Sequence, residues 1–80
     1  MLTGAQIRGA RGMLNWSAQD LAAHSGVSVP TIRRLEKESG PTANAYERTL
    51  LDLKRVFEEA GVEFIGTPDD KPGVRLKFYK

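Results

Sequence analysis

The chain has 80 residues, a length that suits one small domain with a modest core. It contains no cysteine, which excludes disulfides and thiolate metal sites, and its single histidine cannot hold a zinc ion alone. No apolar run approaches the roughly 18 residues of a membrane span, and the N-terminus lacks a secretory signal pattern, so we expect a cytoplasmic protein. The net charge of +2 does not by itself indicate nucleic acid, but the excess positive charge lies in residues 1–40.

The first predicted helix begins after Thr3, whose hydroxyl can cap a helix N-terminus, and continues to about Met13. Apolar residues at helical spacing predict its buried face: Ile7, Ala10 and Leu14. Gly9 and Gly12 weaken this helix but allow a neighbouring helix to approach closely. Asn15 suits the left-handed corner that follows. We interpret Trp16 as packing on the next helix, in preference to a role in stacking on a ligand or a base.

Two short helices with a tight corner between them are predicted over residues 17–37. Ser17 caps the second helix with Asp20 at the capping-box position, and Gly26 can take the positive φ that ends it. Ser28 caps the third helix, and Pro30 falls in its first turn, where a missing N–H costs nothing. Ile32 and Leu35 should face inward, which leaves the following residues on the other sides: Val29, Thr31, Arg33, Arg34 and Lys37.

A long fourth helix is predicted over about residues 45–60, capped by Thr42 or Asn44 and closed by Gly61. Its inner stripe consists of Leu50, Leu53, Phe57 and Ala60. The pattern then changes to the two-residue period of strands, which predicts strands over residues 62–65 and 74–79 with a connecting loop over residues 66–73. A two-stranded hairpin is marginal alone, so it must pack on the helices, pair with another subunit, or both.

The region around the corner resembles a known family. The residues that carry the resemblance are Leu21-Ala22, Gly26-Val27-Ser28, Thr31-Ile32 and Arg34-Leu35-Glu36. They are similar to the helix-turn-helix of the lambda repressor/Cro-like, or xenobiotic-response-element, transcriptional regulators, over roughly residues 3–60. The resemblance implies a mainly α, four-helix lambda-repressor-like DNA-binding domain over residues 1–61, with the helix-turn-helix itself at 17–37. Residues 62–80 would add a C-terminal two-stranded β-hairpin for packing or dimerisation.

In this family the first residues of the second motif helix enter the major groove of DNA and contact base edges. Carried onto this chain, the resemblance implies DNA contacts by Ser17, Gln19, Ser28, Val29, Pro30, Thr31, Arg33, Arg34 and Lys37. Arg33 and Arg34 each carry a guanidinium that can bind guanine O6 and N7 together. The family often has a phosphate-binding Gln directly after the cap, but here that position is Ala18, and Gln19 follows it.

The resemblance also implies that Arg11 and Glu36 form a partly buried ion pair between the first helix and the reading helix. On a generic helix Arg33 and Arg34 would be solvated charges or would pair with an acid such as Glu38. Inside this motif, DNA contact by at least one of them is favoured. Arg8 fits a solvated residue or a phosphate contact. His24 fits a surface residue near a helix end, because no nucleophile with a base and an orienting acid is evident.

The sequence therefore predicts a regulator that binds specific double-stranded DNA and represses transcription as a homodimer on inverted half-sites. No cofactor, metal ion, membrane or small-molecule ligand is expected. The subunit contact is expected at the strand over residues 74–79 or on the exposed side of the long helix. Two other functions stay open: a DNA-binding antitoxin whose hairpin grips a toxin, and a protein-interaction module with the same fold. An enzyme is disfavoured, since no titratable groups converge.

Overall fold

The computed structural model of the chain describes residues 2–37, 47–67 and 69–78, which form a mainly helical fold with a two-stranded antiparallel sheet. The elements, in chain order, are α1 Gly4–Leu14, α2 Ala18–Ser25, α3 Val29–Glu36, α4 Glu47–Glu59, β1 Val62–Thr67 and β2 Asp70–Leu76. Within these ranges, no helix combines the length and the apolar character needed to cross a membrane.

Side-chain caps determine where the first three helices begin. Thr3, Ser17 and Ser28 each accept a hydrogen bond from the backbone amide three residues further on, as predicted. Thr3 and Ser17 complete capping boxes, in which the side chains of Gln6 and Asp20 accept from the cap backbone. Polar side chains therefore satisfy amides at these helix ends that would otherwise lack partners.

Residues in the left-handed backbone conformation form the corners between these helices, as predicted. Asn15 ends α1 with a φ of 57°, and Gly26 ends α2 with a φ of 77°. A Cβ added at Gly26 would meet no atom within 4 Å, so the backbone conformation and not a lack of space favours glycine there. The Asn15 corner leads from α1 into α2, and the Gly26 corner joins α2 and α3 as a helix-turn-helix.

One core joins the helices to the hairpin. The largest fully buried apolar side chains are Phe57, Ile7, Leu21, Ile32, Leu35, Leu53 and Val62. Phe64 and Val74 of the hairpin are partly buried and pack against this core. Leu14 and Ala60, expected inside, are only partly buried. The hairpin is thus packed on the helices, which meets one of the two conditions for its stability. The predicted caps of the long helix, Thr42 and Asn44, lie outside the described residues.

The prediction of a connecting loop over residues 66–73 is wrong, because most of these residues belong to β1 or β2. Pairing continues beyond Phe64↔Val74 and Ile65↔Gly73 to Thr67↔Asp70, with an irregularity between Ile65 and Thr67. Gly66 and Lys71 take positive φ values of 76° and 53° at this irregularity. These conformations accommodate the irregularity, so the two strands pair on both sides of it. Pro72 is tolerated in β2 because an edge strand does not need every N–H. The second strand also ends earlier than predicted, at Leu76.

The hairpin is attached to α1 by the buried side chain of Gln6. Its Oε1 accepts from the Thr3 amide at 2.9 Å, and its Nε2 donates to the carbonyls of Ile65 and Gly73 at 3.3 and 3.0 Å. Val74 lies against Gly9, where an added Cβ would be 3.2 Å from the valine Cγ2. The small residue at this position thus admits a strand, not the helix expected from the sequence, and both contacts fix the hairpin on α1.

Candidate nucleic-acid interface

The third helix has a buried side and an exposed side. Ile32, Leu35 and Glu36 are buried. The residues exposed on the opposite side are Pro30, Arg33, Arg34 and Lys37. At a rise of 1.5 Å per residue these side chains extend over about 10 Å of the helix axis, or roughly three base pairs of a duplex. The hairpin described by the structure packs mainly on α1 and α4, so it leaves this basic side of α3 open.

The beginning of α3 differs from the expectation in one respect. Val29, expected on an outer side, is partly buried and packs against the core. The reason is helical spacing, since Val29 lies three residues before Ile32 and seven before Glu36, both of which are buried. Thr31 is also half-buried, and the Ser28 hydroxyl lies 2.9 Å from the Thr31 hydroxyl. Pro30 and Ser28 are therefore the exposed residues of this first turn.

The N-terminus of α2 exposes Ser17 and Gln19, the two candidate phosphate contacts. The Ser17 amide donates to Asp20 Oδ2 at 2.9 Å, and the Ser17 Oγ accepts from the Asp20 amide at 3.0 Å. Hydrogen bonds that the carboxylate accepts from Ser17, from its backbone first and from its side chain second, lower the pKa of the Asp20 carboxyl. Ala18 is buried and contributes no polar group. The side chains that could donate to a phosphate at this helix end are those of Ser17 and Gln19, and both lie beside the Asp20 carboxylate.

An ion pair between α1 and α3 holds the buried side of α3 in place. Arg11 donates through Nε and Nη2 to the two carboxylate oxygens of Glu36, at 2.7 and 3.0 Å, and through Nη1 to the Trp16 carbonyl at 3.0 Å. The hydrogen bond to Glu36 raises the pKa of Arg11. The Arg11 and Glu36 side chains are 22% and 10% exposed, so water screens the pair little. The Arg11 guanidinium therefore connects α1 to the residue pair before α2, through Trp16, and to the end of α3, through Glu36.

Arg8 makes a contact that the sequence did not predict. It is exposed, yet its Nη1 donates to the backbone carbonyl of Glu36. The last carbonyls of a helix lack partners inside the helix, and a nearby cation is a common donor to them. The available signal was that Arg8 lies three residues before Arg11 on α1 and so shares its face. Two arginines of α1 thus hold the same residue of α3, one by its side chain and one by its backbone.

Trp16 packs as interpreted from the sequence. Its ring stacks on Phe57 at a centroid distance of 5.9 Å and on His24 at 4.3 Å with an interplanar angle of 7°. His24 is exposed near the end of α2 and covers the outer face of the indole. Over the described ranges, no group of three or more histidine, aspartate and glutamate side chains is arranged to hold a metal ion. Glu38, the acid named as an alternative partner for the arginines, lies outside those ranges.

Two capped helices joined at a left-handed glycine, with a basic exposed side on the second, define a helix-turn-helix domain. The comparison with protein families agrees, since the family model for helix-turn-helix proteins matches residues 7–48, more than half of the chain. The chain belongs to the lambda repressor/Cro-like helix-turn-helix family, whose domain is a DNA-binding domain of transcriptional regulators. A search of curated proteins finds none that is detectably similar to this chain.

Proposed function

We propose that this chain regulates transcription by inserting α3 into the major groove of specific double-stranded DNA sites. The observation that supports it is the two-sided character of α3. One side is buried and held by Arg8 and Arg11, while the other exposes Pro30 and two arginines. B-DNA's major groove admits one α-helix, and the residues near its N-terminus meet the base edges.

The exposed residues divide by the chemistry that they can offer to DNA. Arg33 and Arg34 can each donate two hydrogen bonds to guanine O6 and N7, worth roughly 1–3 kcal/mol of discrimination per pair. Pro30 and the exposed part of Val29 offer apolar contact to a thymine methyl. The remaining candidates, assigned to phosphate contacts, are Ser17, Gln19, Ser28, Thr31 and Lys37.

We assign repression to a homodimer of this cytoplasmic protein. One reading helix contacts only a few base pairs, and two copies on inverted half-sites about 34 Å apart would give the specificity that a promoter requires. Occupation of the promoter would then block transcription sterically. DNA binding belongs to residues 1–61 in this proposal, and residues 62–80 serve packing, as Gln6 and Val74 indicate.

The test is selection of bound duplexes from a random pool with the parent chain and with Arg33→Ala and Arg34→Ala. If the replaced arginine binds guanine, the variant should lose the base preference at defined positions of the selected site. If it binds a phosphate, the variant should bind all duplexes more weakly to the same extent, and the salt slope should fall by about 1. Arg48→Ala is the matched control, because Arg48 is an exposed arginine on α4 and should change neither quantity. Failure of the parent chain to select any motif would refute the proposal.

A second candidate, a protein-interaction module, is favoured by the N-terminus of α2. Ala18 is buried where the family often has a phosphate-binding Gln, and the Asp20 carboxylate adds negative charge at the same helix end. Both features weaken a phosphate contact. Gel-shift assays at low salt distinguish the two functions, since an interaction module would retard no duplex while a DNA-binding regulator would retard most of them weakly.

A further inference from the structure

The outer side of α4 carries an exposed leucine beside an apolar cleft. Leu51 is 56% exposed, although the neighbouring Leu50 and Leu53 are buried. Leu50 and Leu51 line a cleft of about 250 Å³ together with Leu2 of the N-terminus. An apolar side chain next to an apolar recess marks a surface that would gain stability if it were covered.

The two ends of this cleft have opposite charges. Glu47 and Lys54 complete its lining, and they lie seven residues apart, about 10 Å along the helix axis. Both are exposed, and no ion pair to either is found among the described residues. A cleft that is negative at one end and positive at the other is complementary to a copy of itself in antiparallel orientation. Each Glu47 would then face Lys54 of the second copy.

The other expected contact, through the edge of β2, is disfavoured by its sequence. This strand carries Lys71 and Arg75 against Asp70, and Lys77 follows it, so the edge is positive on balance and would repel a second copy of itself. Pro72 removes one backbone donor from the same strand. Arg75 also pairs with Glu63 of its own chain at 2.7 Å, which leaves the acid unavailable to a second copy. These are the features by which edge strands resist pairing.

We propose that two copies of this chain dimerise through the outer side of α4, antiparallel about a two-fold axis near Leu51. Leu51 of each copy covers the apolar cleft of the other. This proposal rests on the proposed function, because it names the contact of the regulator's dimer. Since α4 packs mainly on α2 and β1, the contact leaves the basic side of α3 exposed in both copies. One helix and one cleft make a small interface, so the dimer dissociates reversibly on dilution.

The test is sedimentation equilibrium of the full chain at several concentrations and at low salt. Glu47→Lys and Lys54→Glu each place two pairs of like charges across the dyad, so each should weaken self-association about tenfold or more. Mixing the two variants restores both opposite pairs in a heterodimer, and the double variant Glu47→Lys/Lys54→Glu restores the homodimer. Only a contact that is symmetric about this cleft predicts both recoveries.

Controls separate this contact from general charge effects and from the hairpin. Glu59→Lys makes the same charge change on another side of α4 and should leave the association constant unchanged. Lys77→Glu should also leave it unchanged, whereas it would strengthen a dimer formed through the hairpin edge. All four side chains are exposed, so unchanged melting curves are expected and would exclude misfolding as the cause. A parent chain that stays monomeric, or a mixture that forms no heterodimer, overturns the proposal.

The same variants keep the failure of this contact distinct from failure of DNA binding. Each retains Arg33 and Arg34, so each monomer should still bind a duplex with a single half-site as the parent monomer does. Loss of dimerisation without loss of half-site binding supports both proposals. A dimer that follows the charge-swap pattern but binds no duplex supports the α4 contact and refutes the proposed function as a DNA-binding regulator.

Discussion

Glu36→Ala should destabilise the domain, because Glu36 is the residue by which α1 holds the end of α3. Its carboxylate accepts two hydrogen bonds from Arg11, at 2.7 and 3.0 Å, and only 8% of the residue is exposed. Alanine removes the carboxylate and leaves the Arg11 charge in place, with 22% of its side chain in contact with water. The backbone carbonyl that accepts from Arg8 is kept in the variant.

The size of the loss follows from the burial of the charge that remains. Removing one member of a buried ion pair costs about 3–5 kcal/mol. Arg11 keeps its bond to the Trp16 carbonyl and some solvent contact, so we expect the lower end, about 3 kcal/mol. An 80-residue domain has a total free energy of unfolding of about 4–12 kcal/mol. At about 4–8 °C per kcal/mol, the Tm should fall by about 12–24 °C.

Thermal melting and urea unfolding at pH 7 measure this loss. Glu59→Ala, an exposed glutamate on α4, is the control and should change the free energy of unfolding by less than about 0.5 kcal/mol. The double variant Arg11→Met/Glu36→Leu replaces both charges with apolar groups and should recover most of the stability. A Glu36→Ala curve that coincides with the parent curve would refute the reasoning, as would a double variant whose loss equals the sum of the two single losses.

Three further predictions concern helix caps and glycines. Ser17→Ala should lower the free energy of unfolding by about 1 kcal/mol in urea titrations, because α2 loses its cap. Asp20→Asn should be less stable than the parent at pH 7. Because folding lowers the pKa of Asp20, its contribution is present above the unfolded value of about 3.9 and is lost as the pH falls through the folded value, so urea titrations should show the difference closing in acid. Gly12→Ala should stabilise α1 by up to about 1 kcal/mol, since an added Cβ meets nothing there. Gly66→Ala should instead cost more than about 1 kcal/mol, because Gly66 has a φ of 76° and an added Cβ would collide with the Lys71 carbonyl. Equal melting temperatures for these two alanine variants would contradict the last prediction.

The helix-turn-helix could be predicted from the sequence because local residues determine it. The caps Thr3, Ser17 and Ser28 bond to amides three residues away, and Asn15 and Gly26 make the corners through their own backbone conformations. None of these features depends on distant parts of the chain. The basic side of α3 follows from them, since helical spacing decides which residues oppose Ile32 and Leu35.

The parts that could not be predicted depend on contacts between distant residues. Gln6 bonds to carbonyls 59 and 67 residues further along the chain, and no local pattern indicates those partners. The length of the hairpin depends on the positive φ values of Gly66 and Lys71, and lysine gives no signal for such a conformation. Arg8 contacts a backbone carbonyl, a group that every residue carries, so its partner could not be read from residue types.

The Gln6 contact limits how this helix-turn-helix can be transplanted into other proteins. A fragment cut at Gly61 would lose the carbonyls of Ile65 and Gly73 and would uncover an amide that is inside the intact molecule. An engineer who grafts the motif must therefore carry the C-terminal strands with it or replace Gln6 with a nonpolar residue. If α3 enters the major groove as proposed, new sequence preferences are better sought by exchanging Pro30, Arg33, Arg34 and Lys37 within the intact chain, because all four residues are exposed.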